Sequence, residues 1–202
     1  IREHNCSYTQ WNNKSTTNNT MSKSTFKIIN PYTEQVEKEY PYHSVDESMQ
    51  LLEKADQAFH SVWKKKDVSE RAQLLLKSAE ILESRKSEIA KLACVEMGKP
   101  LTSSEGEIDY CIQILKYYGE NAARFLKDQS ISEIEHGEAY LTHEPLGVLL
   151  SVQPWNFPFS QLIRFAAPNM ATGNTILMKP TTAVYQCALA IQKVFDDAGL
   201  PE

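Results

Sequence analysis

Two short stretches carry residue types that serve chemistry as well as packing. Residues 151–162, SVQPWNFPFSQL, close an apolar run with two prolines, a tryptophan and one asparagine; residues 175–180, TILMKP, close a second run with Lys179 and Pro180. Proline fixes φ and removes a backbone donor, so such a loop keeps its shape without ladder hydrogen bonds. Within it Trp155 supplies a rigid wall, and the Asn156 side-chain amide can donate to a developing oxyanion. The Lys179 ammonium suits ribose hydroxyls or a phosphate. Taken singly, a Pro-Trp loop also serves as a packing turn, and a lysine ending a strand also serves as a solvated side chain. No G-x-G-x-x-G occurs, and seven glycines leave no glycine-rich phosphate cradle. On spacing alone the chain reads as an α/β domain with a nucleotide-binding edge.

The elements that must position these residues follow from periodicity. GVLLSVQ (147–153) is nearly continuous in apolar residues, as expected for a strand buried on both faces of a parallel sheet. A helical stretch over Phe159 to Ala171, Gly173, a second apolar run at 175–179 and a helix from Thr182 to Ala198 complete a βαβα pattern. In open α/β sheets ligands bind outside the carboxyl ends of the strands, where both PWNFP and Lys179 fall.

Upstream, FKII and QVEKEY flank a turn at Asn30 to Thr33 and read as a hairpin. Ser44 and Glu47 form a capping box ahead of Leu52, Ala55, Phe59, Val62 and Trp63. A second helix begins after Asp67, with Ala72, Leu75, Leu76, Ala79 and Leu82 on one face. A third carries Ile89, Leu92 and Val95 and stops at Gly98. A fourth runs through Ile108, Cys111, Ile112, Leu115, Tyr118, Ala122 and Phe125. ISEIEHGEAYLTHEP then alternates polar and apolar residues, as in exposed antiparallel strands that serve subunit contacts.

Composition limits the partners. The 202 residues are 42% hydrophobic and 23% charged, with a formal net charge of -5, which argues against nucleic acid or an anionic membrane. No run approaches a membrane span, and residues 1–20 lack the apolar centre of a signal peptide, so a cytoplasmic location is the default expectation. Of the four cysteines, Cys94, Cys111 and Cys187 lie in apolar helical patterns and read as buried structural thiols, with no metal-binding spacing. The tail IREHNCSYTQWNNKSTTNNT reads as disordered or as a non-native extension, with Met21 as the expected start.

GVLLSVQPWNFPFSQLIRFAAPNMATGNTILMKP (147–180), together with the upstream E-M-G-K-P at Glu96 to Pro100, resembles the aldehyde dehydrogenase superfamily from about Phe26 to Glu202. The resemblance implies the N-terminal part of that fold: helices, the start of a Rossmann-like parallel sheet and strands of an oligomerisation element. It implies that Asn156 stabilises the oxyanion of a thiohemiacetal and that Lys179 holds the adenosine ribose of NAD or NADP. Val152, Gln153, Pro154 and Trp155 match the strand end lining the cofactor cleft. At Thr182 many NAD-preferring members carry a glutamate for the ribose 2′-hydroxyl; a hydroxyl there permits the 2′-phosphate of NADP.

Arg164 falls where the succinate semialdehyde dehydrogenase branch carries an arginine for the substrate carboxylate; a helix arginine in an interface or salt bridge is the alternative. MGKPLTSSEGEIDYCIQILKYYGENAARFL also looks like that branch. The implied parent reaction is oxidation of a short aldehyde acid to a carboxylic acid, in a homodimer or homotetramer.

The sequence departs from the family pattern after DDAGLPE: the glycine turn, the glutamate general base and the nucleophilic cysteine have no match in these residues, and Cys187 lies in a helix far from any matching motif. The expected organisation is a tail (1–20), a hairpin and helical part of the cofactor domain (21–130), oligomerisation strands (131–143) and the first βαβα part of the NAD(P)-binding domain (144–202), without the catalytic domain. The 202 residues alone are expected to be inactive and poorly folded, with apolar sheet faces uncovered. The other readings are a stand-alone nucleotide-binding or oligomerisation module, or a non-functional gene fragment.

Overall fold

The computed structural model describes residues 24–132 and 136–201. The expectations for the tail and for Met21 lie outside these residues. The chain begins with an antiparallel hairpin, β1 (Thr25–Ile29) and β2 (Val36–Pro41), with Phe26 opposite Tyr40. Phe26 and Tyr40 both lie edge-on to Tyr185, at ring-centroid distances of 5.2 and 4.8 Å, which seats the hairpin on the C-terminal helix.

Four helices follow: α1 (Val45–Ser61), α2 (Val68–Ser84), α3 (Lys86–Met97) and α4 (Leu101–Phe125). The first two start as their sequences dictate. The Ser44 hydroxyl accepts from the Glu47 N–H while the Glu47 carboxylate takes the Ser44 N–H, and Asp67 and Glu70 repeat the arrangement. Helix α1 stops at Ser61, short of the expected Val62 and Trp63, and a 3-10 turn over Trp63–Lys65 buries Trp63. Of its expected face, Phe59 is buried while Leu52 and Val62 are exposed. On α3 the buried apolar positions are Ile89, Ala90 and Ala93, and Leu92 is only half-buried. Small residues there let the helix approach its neighbours closely.

The core lies among α2, α3, α4 and two C-terminal helices, α5 (Ser160–Thr172) and α6 (Tyr185–Ala198). Leu75, Leu82, Ile108, Leu115, Ile163 and Ile191 are fully inaccessible within it. Gly119 marks a close crossing of α2 and α4: a Cβ there would stand 2.7 Å from the Leu76 side chain and 3.2 Å from the Ala72 carbonyl, so a side chain would force its neighbours to shift.

A second hairpin, β3 (Gln129–Ile131) with β4 (Ala139–Leu141), falls within and just ahead of the alternating stretch; residues 133–135 lie outside the described set. Then β5 (Val148–Val152) and β6 (Thr175–Lys179) pair in parallel across α5, in the expected order. The expectation of burial on both faces does not hold. Ser151 is buried, but Leu150 and Val152 are 64% and 63% exposed: on their face α1 meets the start of the pair, where the Thr175 hydroxyl donates to the Ala55 carbonyl, and leaves the strand ends open. Exposure of an apolar sheet face was the accompanying expectation, and it is met.

Candidate functional site at the carboxyl ends of β5 and β6

The parallel register sets the first half of the site. Val152 stands opposite Lys179, and the Gln153 N–H donates to the Lys179 carbonyl at 3.2 Å, carrying the pairing one residue past the strand. The Gln153 side-chain amide turns back to the Ser151 hydroxyl at 2.6 Å. Val152, Gln153 and Lys179 therefore meet at one edge. The start of this pair is pinned by buried Asn174, whose Oδ1 accepts the N–H groups of Leu146 (2.6 Å) and Gly147 (3.0 Å). Gly173 before it adopts φ +104, the left-handed value that ends α5 and that a side chain resists.

From this edge the chain runs out through Pro154, Trp155, Asn156 and Phe157. Trp155 is 56% exposed, and the exposed Asn156 amide makes no hydrogen bond among the described residues, so its donors are uncommitted. Lys179 is exposed and forms no ion pair among the described residues. Thr182 is exposed at the start of a 3-10 turn over Thr182–Val184.

Arg164 stands apart from this edge. It is exposed on α5, where its guanidinium donates to Gln161 Oε1 at 2.6 Å, and it forms no ion pair among the described residues. It lines a groove of about 400 Å³ together with Phe157, Tyr110, Ser103, Ser160 and Gln161. Neither Asn156 nor Lys179 lines that groove; Phe157, next to Asn156, is the link between the two places.

The three cysteines among the described residues behave as structural groups. Cys111 and Cys187 are fully buried, and Cys94 is half-buried with its thiol on the Ala90 carbonyl. Burial pushes the Cys111 and Cys187 thiols well above their ordinary range, which suppresses thiolate.

Three residues of the site were not singled out from the sequence. Helices α5 and α6 have Phe159 and Val184 at their N-cap positions, which offer no side-chain cap. Their orphan N–H groups take carboxylates from α3 and α4 instead. Glu107 Oε1 accepts from Phe159 N (2.9 Å) and Ser160 N (2.7 Å). Glu96 accepts from Gln186 N (2.8 Å) on Oε1 and from Cys187 N (2.9 Å) on Oε2. Lys99 forms a buried ion pair with the second oxygen of Glu107, the two side chains being 9% and 2% exposed, and its ammonium lies 4.3 Å from the Phe157 ring centroid. The available signal was indirect: a helix start without Ser, Thr, Asp or Asn needs an acceptor from elsewhere, and E-M-G-K-P stood out only as a mark of resemblance.

The sequence pattern of the "Aldehyde dehydrogenase family" matches residues 18–202. A succinate-semialdehyde dehydrogenase [NADP(+)] of Deinococcus radiodurans is 43% identical over 177 residues, covering 88% of this chain and 37% of that protein. A probable enzyme of the same name from Synechocystis is 39% identical, covering 86% and 38%. Among solved structures, succinic semialdehyde dehydrogenase from Streptococcus pyogenes in complex with NADP+ superposes with a TM-score of 0.81 at 32% identity, covering 86% of this chain and 38% of that one. The chain thus spans somewhat over a third of the length of these relatives. With the family pattern spanning nearly all of its length, the chain belongs to the aldehyde dehydrogenase family.

Proposed function

We propose that the chain provides the nicotinamide-cofactor edge and the oxyanion amide of an NAD(P)-dependent dehydrogenase that oxidises a short aldehyde acid, of which succinate semialdehyde is the type, to a carboxylic acid. One observation carries the reading: the parallel register sets the strand end leading to Asn156 beside Lys179, with both functional side chains exposed and uncommitted. The names of the relatives support the substrate class and favour NADP.

The residues present fit the cofactor. Lys179 offers a free cation to ribose hydroxyls or a phosphate, and the exposed Thr182 hydroxyl three residues later brings no carboxylate to repel a 2′-phosphate. The bound nicotinamide supplies a hydride acceptor. What these residues do is hold it, line its cleft with Val152, Gln153, Pro154 and Trp155, and place the Asn156 amide where a carbonyl oxygen gains charge. Arg164, in the groove beyond Phe157, takes the far carboxylate of the substrate. The β3–β4 hairpin serves contacts in a homodimer or homotetramer. The nucleophile and general base are not among these candidates, so the 202 residues alone bind cofactor without turning over aldehyde.

Titration of the chain with NADP+ and NAD+, read by Trp155 fluorescence, tests this, alongside an assay for NADPH formation from succinate semialdehyde. Saturable NADP+ binding lost in Lys179→Ala, without NADPH formation, is expected. Binding unchanged in Lys179→Ala overturns the cofactor assignment, and aldehyde-dependent NADPH formation overturns the division of labour.

A further inference from the structure

The loop bearing Asn156 is held at both ends by groups that lie outside it. At its start, Gln153 is tied to the Lys179 carbonyl and to Ser151. At its end, the N–H groups of Phe159 and Ser160 both enter one oxygen of Glu107, and these bonds are buried. The other oxygen of Glu107 meets Lys99, whose ammonium also faces the ring of Phe157, the residue after Asn156. Asn156 makes no bond that would orient it among the described residues, so its placement depends on these anchors. A carboxylate that takes two N–H groups at a helix start and is itself ion-paired cannot shift without breaking three charge-assisted interactions.

We propose that Glu107, clamped by Lys99, is a positioning residue for Asn156: it fixes the end of the 154–158 loop so that the Asn156 amide points at the developing oxyanion. The inference rests on the reading of Asn156 given above. It assigns Glu107 and Lys99 no contact with substrate; they act through the backbone of Phe159 and Ser160 and through the ring of Phe157.

The test has two arms. Amide hydrogen exchange on the 202-residue chain compares Glu107→Ala and Glu107→Gln with the parent. Exchange at Phe159 and Ser160 accelerates about tenfold or more in Glu107→Ala, with α2 unchanged, while Glu107→Gln, which keeps one acceptor oxygen, restores most of the protection. Steady-state kinetics then use residues 1–202 continued by the remainder of the Deinococcus radiodurans relative. There Asn156→Ala lowers kcat about 100-fold. Glu107→Ala lowers kcat about tenfold or more with KM within about twofold, and the double variant is no slower than Asn156→Ala alone.

Effects that multiply in the double variant, or exchange that rises throughout α2, α4 and α5, overturn the positioning role, since a merely structural residue gives that result. Unchanged exchange at Phe159 and Ser160 overturns the clamp itself. If Asn156→Ala keeps full kcat, the functional reading fails, and the exchange arm still decides whether Glu107 holds the loop. Should Glu107→Ala not fold, Lys99→Met, which removes the counter-ion of the clamp, carries the same cycle.

Discussion

The two junctions at which the parallel strands β5 and β6 give way to helices solve one problem with different chemistry. After β5 and after β6 the chain enters a helix whose first N–H groups have no local acceptor, and each time a buried glutamate from the α3–α4 region supplies one. Glu107, behind the Asn156 loop, shares its charge with Lys99. Glu96, behind the Lys179 turn, has no cationic partner among the described residues, and burial raises its pKa above 4.5 against the pull of the N–H bonds from Cys187 and Gln186. A desolvated carboxylate with only hydrogen bonds is held less firmly in its charged form than one with a counter-ion. The Asn156 loop thus has a clamp whose charge is compensated, and the Lys179 turn has one whose strength varies with pH.

Removing the compensation is the largest perturbation available. Lys99→Met leaves Glu107 buried with an unpaired charge, and the loss in unfolding free energy is expected to be about 3–5 kcal/mol by chemical denaturation. Adding Glu107→Gln to Lys99→Met should recover a large part of that loss, because the uncompensated charge disappears. A loss under about 1 kcal/mol in the single variant would mean that solvent reaches the pair, and the contrast with Glu96 would collapse.

A smaller effect is expected at Glu96, and it has a sign. Glu96→Ala strands the Gln186 and Cys187 N–H groups and should cost about 2 kcal/mol. A carboxyl whose folded pKa is raised favours the fold when protonated, so its contribution is complete below 4.5 and is lost as the pH climbs through the raised value. Asp67 and Asp197 are lowered, Asp67 first by the Ser69 hydroxyl and Asp197 first by Lys193; their contributions run the other way and fade as the pH falls below 3.8. The stability advantage of the parent chain over Glu96→Gln should therefore shrink from pH 4.5 toward neutrality. An advantage that grows over this range would show that the N–H bonds outweigh desolvation.

The same contrast between near and distant partners explains what the sequence made legible. Ser44 with Glu47, and Asp67 at the start of α2, could be read because donor and acceptor sit three residues apart on one helix start. The order of βαβα elements, Lys179 at a strand end and Asn156 in a proline-fixed loop were equally local. Glu107 and Glu96 were not, since each serves a helix more than fifty residues later, and in sequence each is one polar position on an amphipathic helix. The expected burial of β5 on both faces failed for a related reason: an apolar run reports what a strand can tolerate on its two faces, and Leu150 and Val152 stay exposed at the end of the face whose start meets α1.

The smallest expected effect separates local from long-range capping. Ser44→Ala removes the hydroxyl that accepts the Glu47 N–H at 3.1 Å and should cost about 1 kcal/mol. Because both partners lie in the first turn of α1, the consequence should stay there: amides of residues 45–48 exchange faster, while Phe159, Ser160, Gln186 and Cys187 keep their protection. Glu107→Ala should give the opposite map, quiet in α1 and loosened at the start of α5. If Ser44→Ala also loosened α5, the N-terminal helix would be coupled to the Asn156 loop through β6, where the Thr175 hydroxyl donates to the Ala55 carbonyl at 3.1 Å. The loop would then depend on α1 as well as on Glu107, and the clamp would extend across the sheet to α1.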